Sequence, residues 1–179
     1  LPICTDAVAA LSRGESDLAG FHVPTGEFEV PSAERFGKWL DARSHRLIHL
    51  AHRTQGLFVN IGNPLGIEGL ADLLRPDVRF VNRQVGSGTR MLLELMLHKT
   101  AIAPTAINGY ENTEFTHSAV AAFIASGMAD VGFGVQTAAE RFKLDFIPLA
   151  RERYFLAVSA ESLEQPDRKS TRLNSSHVK

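Results

Sequence analysis

The sequence predicts an α/β fold with largely parallel sheets, and three observations lead to this prediction. Apolar segments with strand character alternate along the chain with segments of helical periodicity. Of the 179 residues, 44% are hydrophobic, which is enough for the core of one ordinary domain or of two small lobes. Several strands are followed by loops that lead into helices, and ligands bind at such loops in α/β sheets.

The helices are predicted from apolar periodicity bounded by start and stop signals. Ser32, Ser87 and Thr116 each stand where a side-chain oxygen would cap the first turn of a helix. Gly14 and Gly127 follow the last turns of two helices. In chain order, the predicted helices cover residues 6–13, 32–43, 67–74, 89–99, 116–126 and 137–142.

The strands are predicted from short apolar runs between turn residues. The segment 53–56 is interpreted as a break between two strands, and the Asn63-Pro64 pair marks a turn. In chain order, the predicted strands cover residues 17–22, 47–51, 57–61, 78–82, 131–135, 146–149 and 154–159. Their alternation with helices is what favours parallel pairing.

The composition excludes several classes of function. A net charge of −1 gives the chain as a whole no positive surface for nucleic acid. The single cysteine, Cys4, can form neither an internal disulfide nor a cysteine metal cluster, and we expect it to pack among apolar residues. The sequence has no apolar run of membrane-spanning length and no secretory signal. We therefore expect a cytoplasmic protein without a membrane partner.

Both ends of the sequence have unusual features. The chain begins without an initiating methionine and runs directly into a helical pattern, so we expect a fragment of a longer protein. Residues 167–179 carry four basic residues against one acidic residue and have no apolar periodicity. We interpret this segment as a non-native tail and leave it out of the fold. The alternative interpretation is a basic arm that binds nucleic acid.

The segment RFVNRQVGSGTR, residues 79–90, is the strongest candidate for a binding site. It is typical of a strand end followed by a tight turn that opens a helix, with Ser87 as the cap. A helix start offers unpaired N–H groups and the positive end of the helix dipole to an anion. Arg83 and Arg90 flank the turn and are suited to bidentate contacts with an oxyanion. The alternative is an ordinary capped helix after a glycine-rich loop.

A second predicted helix start, at Thr116 and His117, would face the first across a cleft. Arg53, which follows a strand, and Tyr110 are additional candidates for the same cleft. The alternatives are a simple N-cap at Thr116 and a surface position for Arg53.

The sequence lacks the common patterns of metal, nucleotide and catalytic sites. His45, His49 and His52 have the spacing of metal ligands on a helix, but the intervening residues indicate a strand, in which His45 and His49 would face one side and His52 the other. The Gly86–Thr89 turn has neither the lysine of a Walker loop nor the third glycine of a Rossmann motif. Ser87 as a nucleophile would have only His117 as a nearby base, without an orienting acid. We therefore expect a binding module that has no catalytic activity, metal or cofactor.

Several short strings are distinctive as a set and resemble a known family. They are Gly62-Asn63-Pro64-Leu65-Gly66, Asn82-Arg83-Gln84, Gly86-Ser87-Gly88-Thr89-Arg90, Gly109-Tyr110, Thr116-His117, Ala119-Val120-Ala121, Gly127, Ala129-Asp130-Val131-Gly132 and Asp145-Phe146-Ile147-Pro148-Leu149. Together they resemble the periplasmic-binding-protein-like domain of type II topology that accompanies molybdate-related proteins. The segment from Arg83 to Thr89 is also similar to the anion-contacting motif of tungstate-binding receptors.

The resemblance implies two α/β lobes joined by a two-strand hinge, with the ligand in the cleft between them. On this basis we expect a first lobe at residues 1–77, a second lobe at 78–149 and a return to the first lobe at 150–166. The first strand of this fold normally contributes a ligand contact, and we expect that strand to be missing from the chain.

The resemblance also implies roles for individual residues. Ser87, Gly88 and Thr89 would donate hydrogen bonds to the ligand, and Arg83 would neutralise its charge. Thr116 and His117 would face it. The full set of expected ligand-binding residues is Arg83, Ser87, Gly88, Thr89, Thr116, His117, Arg53 and Tyr110.

The expected function is a small-ligand sensor domain of a transcriptional regulator, with an oxyanion, molybdate or tungstate, as the ligand. DNA would be contacted only through a fused helix-turn-helix domain outside this chain, and a homodimer is one possible assembly. Three alternatives remain open: the same fold in a molybdopterin biosynthesis protein, an extracytoplasmic transport receptor, and a site for an organic effector. Aromatic residues in the pocket, such as Phe115, Phe133 and Tyr110, would favour the last.

Overall fold

The computed structural model describes residues 4–164, and within them the predicted α/β class is confirmed. The tail at 167–179 and the side chain of Cys4, for which predictions were made, lie outside the described part. The strands are β1 (Leu18–Pro24), β2 (His45–Val59), β3 (Phe80–Arg83), β4 (Thr113–Glu114), β5 (Val131–Val135) and β6 (Asp145–Ser159). The helices are α1 (Cys4–Ser12), α2 (Glu29–Phe36), α3 (Gly88–Lys99), α4 (His117–Ala125), α5 (Gln136–Arg141) and α6 (Ala160–Glu164), with 3-10 turns at Gly26–Phe28, Leu70–Leu74 and Pro104–Ala106.

The six strands form a sheet in the order β1-β6-β2-β5-β3-β4. Only part of this sheet is parallel: β3 runs parallel to β4 and to β5. The prediction of mostly parallel sheets is therefore wrong in this detail. The reason is that β6 returns between β1 and β2 and is antiparallel to both, while β5 is antiparallel to β2.

The two longest strands, β2 and β6, correct the prediction that each consists of two short strands. Each is one continuous strand of 15 residues, and they pair along their whole length. The register shifts at two places, between His49 and Ala51 and between Gln55 and Gly56. These irregularities interrupt the alternation of apolar residues without ending the strand. The segment 53–56, which was predicted to separate two strands, lies inside this ladder.

Some helix boundaries also differ from the prediction. The helix predicted at 32–43 begins earlier, at Glu29, and ends at Phe36; Ser32 lies inside it, fully buried, and is not a cap. The segment 67–74 contains only a 3-10 turn. The predicted caps Ser87 and Thr116 are confirmed, because their hydroxyl oxygens accept backbone N–H groups three residues ahead, at 3.2 Å and 3.0 Å.

Three apolar clusters hold the helices against the sheet. At the β1 end, α1 and α2 pack on β1 and β6 around Phe21 and Phe36. At the other end, α3 covers one face of β5 and β3 around Leu92 and Phe80, and α4 covers the opposite face around Val120. None of the helices within residues 4–164 combines the length and the apolar composition that crossing a bilayer requires.

Candidate functional site

The candidate site lies where the three parallel strands end. Because β3, β4 and β5 run in the same direction, their carboxyl ends meet at one edge of the sheet, and each leads into the start of a helix. The antiparallel strands β2 and β6 continue past this edge and reach β1. Ligands of open α/β sheets bind at such an edge, so the side chains placed here are the ones to consider.

The turn that opens α3 has the conformation that the sequence predicts. Gly86 has a φ of +82°, a value that favours glycine, and Ser87 caps the helix that begins at Gly88. Ser87 and Thr89 are 6% and 3% exposed. A hydroxyl that accepts a capping hydrogen bond can still donate its own hydrogen, so Ser87 keeps one donor for a ligand.

Arg83, the last residue of β3, connects two of the loops at this edge. Its Nη2 donates a hydrogen bond of 3.1 Å to the backbone oxygen of Phe115, which precedes α4. This contact holds the guanidinium between the start of α3 and the start of α4. Val85 and Phe115 stand beside it and are 69% and 75% exposed.

His117, the first residue of α4, lies over β5. A Cβ added to Gly134 would stand 2.9 Å from its Nδ1, so the glycine leaves the space that the ring occupies. Burial, assisted by the charges of Arg83, Arg53 and His22, lowers the pKa of His117 to about 3. The ring is therefore neutral at pH 7, and among the described residues its buried Nδ1 has no hydrogen-bond partner.

Arg53, Gln55 and Glu152 form a polar group within the paired strands β2 and β6. The same oxygen of Glu152, Oε2, accepts hydrogen bonds from Arg53 Nε at 2.6 Å and from Gln55 Nε2 at 2.7 Å. Glu152 is 1% exposed and Gln55 is fully buried. The positive charge of Arg53 contributes to the lowered pKa of His117 at the start of α4.

His22 of β1 is a further buried polar residue whose pKa is affected by the charge of Arg53. Its ring stacks on Tyr154 with centroids 4.4 Å apart. Burial, assisted by the charge of Arg53, lowers the pKa of His22 to about 3, and its Nδ1 is buried without a partner among residues 4–164. His22, Gln55 and Glu152 were not predicted as candidates from the sequence. The feature that could have pointed to them is a polar side chain inside an otherwise apolar strand.

The structure thus brings together Arg53, Arg83 and His117 from the expected set, with Thr116 next to them as a cap. Ser87, Gly88 and Thr89 lie at the start of α3. This helix follows β3, which pairs with β4.

Tyr110 and Arg90 lie elsewhere. Tyr110 is buried in the apolar cluster under α3, and the Arg90 guanidinium carbon stands 4.6 Å from the centre of its ring. Arg90 is 5% exposed and forms ion pairs with Glu94 at 3.1 Å and Glu111 at 3.8 Å. Arg90 flanks the turn as predicted, but its charge is compensated within the protein, which argues against the predicted bidentate contact with an oxyanion. Phe133, named as a pocket residue for an organic effector, is also buried in this cluster.

The histidines of β2 are arranged differently from the prediction. The register shift at Leu50 adds one residue to the strand, so His49 and His52 come to the same face, with ring centroids 4.7 Å apart. Both are exposed. Within the described residues, no three side chains of histidine, cysteine, aspartate or glutamate are grouped so that they could hold a metal ion.

The chain matches a known family and is similar to a longer bacterial protein. A family model described as the PBP superfamily domain matches residues 4–171. The uncharacterized protein YvgK of Bacillus subtilis is 38% identical over 149 residues, which are 82% of this chain and 47% of that protein. The chain therefore spans about half the length of this relative.

Solved structures with the same fold include a transport receptor and a regulatory domain. An ABC-type phosphate transport receptor from Vibrio cholerae superposes with a TM-score of 0.57 and 14% identity, over 96% of this chain and 78% of that one. The sulfate-bound regulatory domain of an OxyR2 mutant from Vibrio vulnificus superposes with a TM-score of 0.57 and 15% identity, over 96% and 74% of the two chains. At these identities the likeness concerns the fold alone.

Proposed function

Because the chain belongs to the PBP superfamily, the periplasmic-binding-protein-like domains, we propose that it is the sensor domain of a transcriptional regulator and binds a small oxyanion. The observation that carries this proposal is the pair of arginines, Arg53 and Arg83, beside a neutral His117 at the edge where α3 and α4 begin. Two cationic side chains and two helix starts favour a negatively charged ligand. Of the two solved structures, one is a phosphate receptor and the other a sulfate-bound regulatory domain, which supports the same ligand class.

In this proposal Arg83 supplies the main charge and Ser87, Gly88 and Thr89 donate hydrogen bonds from the α3 start. Thr116 and His117 contribute from the α4 start. Arg53 approaches from the opposite side, where β2 and β6 run on toward β1. Molybdate and tungstate are among the ligands to test, because the sequence strings resemble those of molybdate-related domains.

The signalling step would be a rotation of two lobes about β2 and β6. We place one lobe at residues 1–77 and 150–166 and the other at 78–149. A ligand held by Arg83 on one side and Arg53 on the other would favour the closed arrangement, since only that arrangement lets both arginines contact it. A fused DNA-binding domain in the cytoplasm would detect the change.

The test is a calorimetric titration with molybdate, tungstate, sulfate and phosphate. We expect at least one of them to bind, and Arg83→Ala to reduce its affinity by about 100-fold or more, because charge-assisted hydrogen bonds contribute about 1.5–3 kcal/mol each. Arg141→Ala, which removes an exposed arginine at the end of α5, is the matched control and should bind normally. Unchanged affinity in Arg83→Ala, with the fold intact by circular dichroism, would remove Arg83 from the site.

A further inference from the structure

The side-chain amide of Gln55 is only half satisfied. Its Nε2 donates to Glu152 Oε2 at 2.7 Å, whereas its Oε1 is buried and accepts no hydrogen bond from the described residues. The orientation of the amide is determined by this contact, because a carboxylate accepts hydrogen bonds and the amide nitrogen must face it. Gln55 therefore holds a hydrogen-bond acceptor in a fixed position inside a fully buried side chain.

Other buried polar atoms without partners lie around the same group. The Nδ1 atoms of His22 and His117 also lack hydrogen-bond partners among residues 4–164, and both rings are within reach of the charge of Arg53. Arg53 itself is bonded to the carboxylate oxygen that holds Gln55. A buried polar atom without a partner costs free energy, so in a cluster of them beside two arginines either a ligand or a buried water supplies the missing bonds.

The charges at the site restrict what that ligand can be. Arg53, Arg83 and Glu152 have a summed formal charge of +1, and Glu152 is paired with Arg53. A fully deprotonated oxyanion offers only acceptors, and its oxygen placed against Gln55 Oε1 would bring two lone pairs together. An oxyanion with an O–H group would instead donate to that oxygen while its other oxygens accept from the arginines.

We infer that Gln55 is a specificity-determining residue and that the site selects an oxyanion that carries its own O–H donor over one that is fully deprotonated. This inference rests on the proposed anion-binding function of the same site. Hydrogen phosphate and hydroxycarboxylates share the required chemistry, whereas sulfate, molybdate and tungstate lack it at neutral pH.

The test compares ligands that differ only in the donor. At about pH 8, phosphate and sulfate are both tetrahedral dianions, and of the two only phosphate keeps an O–H group. We expect calorimetry on the whole chain to show phosphate binding at least about tenfold more tightly than sulfate. Glycolate against acetate forms a second pair, and tighter binding of glycolate than of phosphate would identify a hydroxycarboxylate as the source of the donor.

Gln55→Met removes the acceptor and keeps the length of the side chain. We expect it to bring the ratio of the phosphate and sulfate affinities close to one, while Gln136→Met, which removes an exposed glutamine of α5, leaves the ratio unchanged. If Gln55→Met does not fold, the comparisons of phosphate with sulfate and of glycolate with acetate on the unaltered chain still test whether the site selects a ligand with an O–H donor.

The outcomes separate the two proposals. Binding of sulfate as tightly as phosphate, or a ratio unchanged in a folded Gln55→Met variant, would overturn the role of Gln55 and leave the anion site in place. The second of these results would mean that a buried water satisfies Oε1. Absence of binding by every anion, or binding that Arg83→Ala does not weaken, would overturn the anion site itself and this inference with it.

Discussion

Replacing Arg53 with methionine is expected to destabilise the protein more than replacing its partner Glu152 with glutamine. The two side chains form a 2.6 Å ion pair, but they are unequally buried: the Glu152 side chain is 2% exposed and the Arg53 side chain is 25% exposed. Arg53→Met leaves a carboxylate inside the protein with Gln55 as its remaining side-chain donor. Glu152→Gln leaves a guanidinium that can turn toward water and keeps an oxygen for Gln55.

The magnitudes follow from this difference in exposure. Removing one partner of a buried ion pair costs about 3–5 kcal/mol, and we expect Arg53→Met to fall in that range. For Glu152→Gln we expect about 1–2 kcal/mol, because the remaining charge is partly solvated. The double variant should be more stable than Arg53→Met, since it no longer contains an unpaired buried charge.

Urea unfolding followed by far-ultraviolet circular dichroism measures these free energies of unfolding. Glu15→Gln is the control, because it breaks an ion pair with Arg13 in which both side chains are more than half exposed, and it should leave the free energy of unfolding nearly unchanged. Equal effects of the two single variants, or a double variant whose loss is the sum of theirs, would refute the reasoning.

Three further outcomes are expected. Thr116→Ala should lower the free energy of unfolding by about 1 kcal/mol in the same urea assay, because it removes the cap of α4. Gly56→Ala should prevent formation of a stable fold, since the new Cβ would stand 2.0 Å from a backbone oxygen of β6, whereas Gly69→Ala meets nothing within 4 Å and should yield folded protein; circular dichroism spectra distinguish them. Stability should fall as the pH drops below about 6.5, because His22 and His117 become protonated in the unfolded chain while burial holds their folded pKa values at about 3. The free energy of unfolding should fall by at most about 1.4 kcal/mol per pH unit for each ring. In urea unfolding measured at several pH values between 7 and about 4.5, the free energy of unfolding of His117→Gln should depend less steeply on pH.

Local signals were sufficient to predict most helices and strands of this fold. Ser87 and Thr116 cap α3 and α4 because hydroxyl oxygens at those positions satisfy N–H groups that every helix start leaves unpaired. The same reasoning failed for Ser32, which lies fully buried inside α2. Pairing direction was not predictable either, since β6 takes its place between β1 and β2 through contacts far apart in sequence.

The candidate site was predicted only in part, because local sequence identifies helix starts but not the pairing of distant strands. Arg83 and His117 adjoin helix starts, and local sequence shows helix starts well. Gln55, Glu152 and His22 lie on three strands, β2, β6 and β1, that are brought together by pairing, and a polar residue inside a strand gives no indication of what stands opposite it. Tyr110 was placed in the cleft from its neighbourhood in sequence, but its ring is held in the core by Phe80 and Arg90.

The position of β6 in the sheet has a consequence for how the protein assembles during translation. β6 is the last of the described strands to leave the ribosome, yet it is the neighbour of both β1 and β2. Until it emerges, β1 lacks the strand on which it pairs in the finished sheet, while β3, β4 and β5, with α3 and α4, can already associate. The nascent chain therefore carries β1 without its strand partner until β6 emerges, and a pause just before Asp145 would prolong the interval in which chaperones or other nascent chains can bind this open edge.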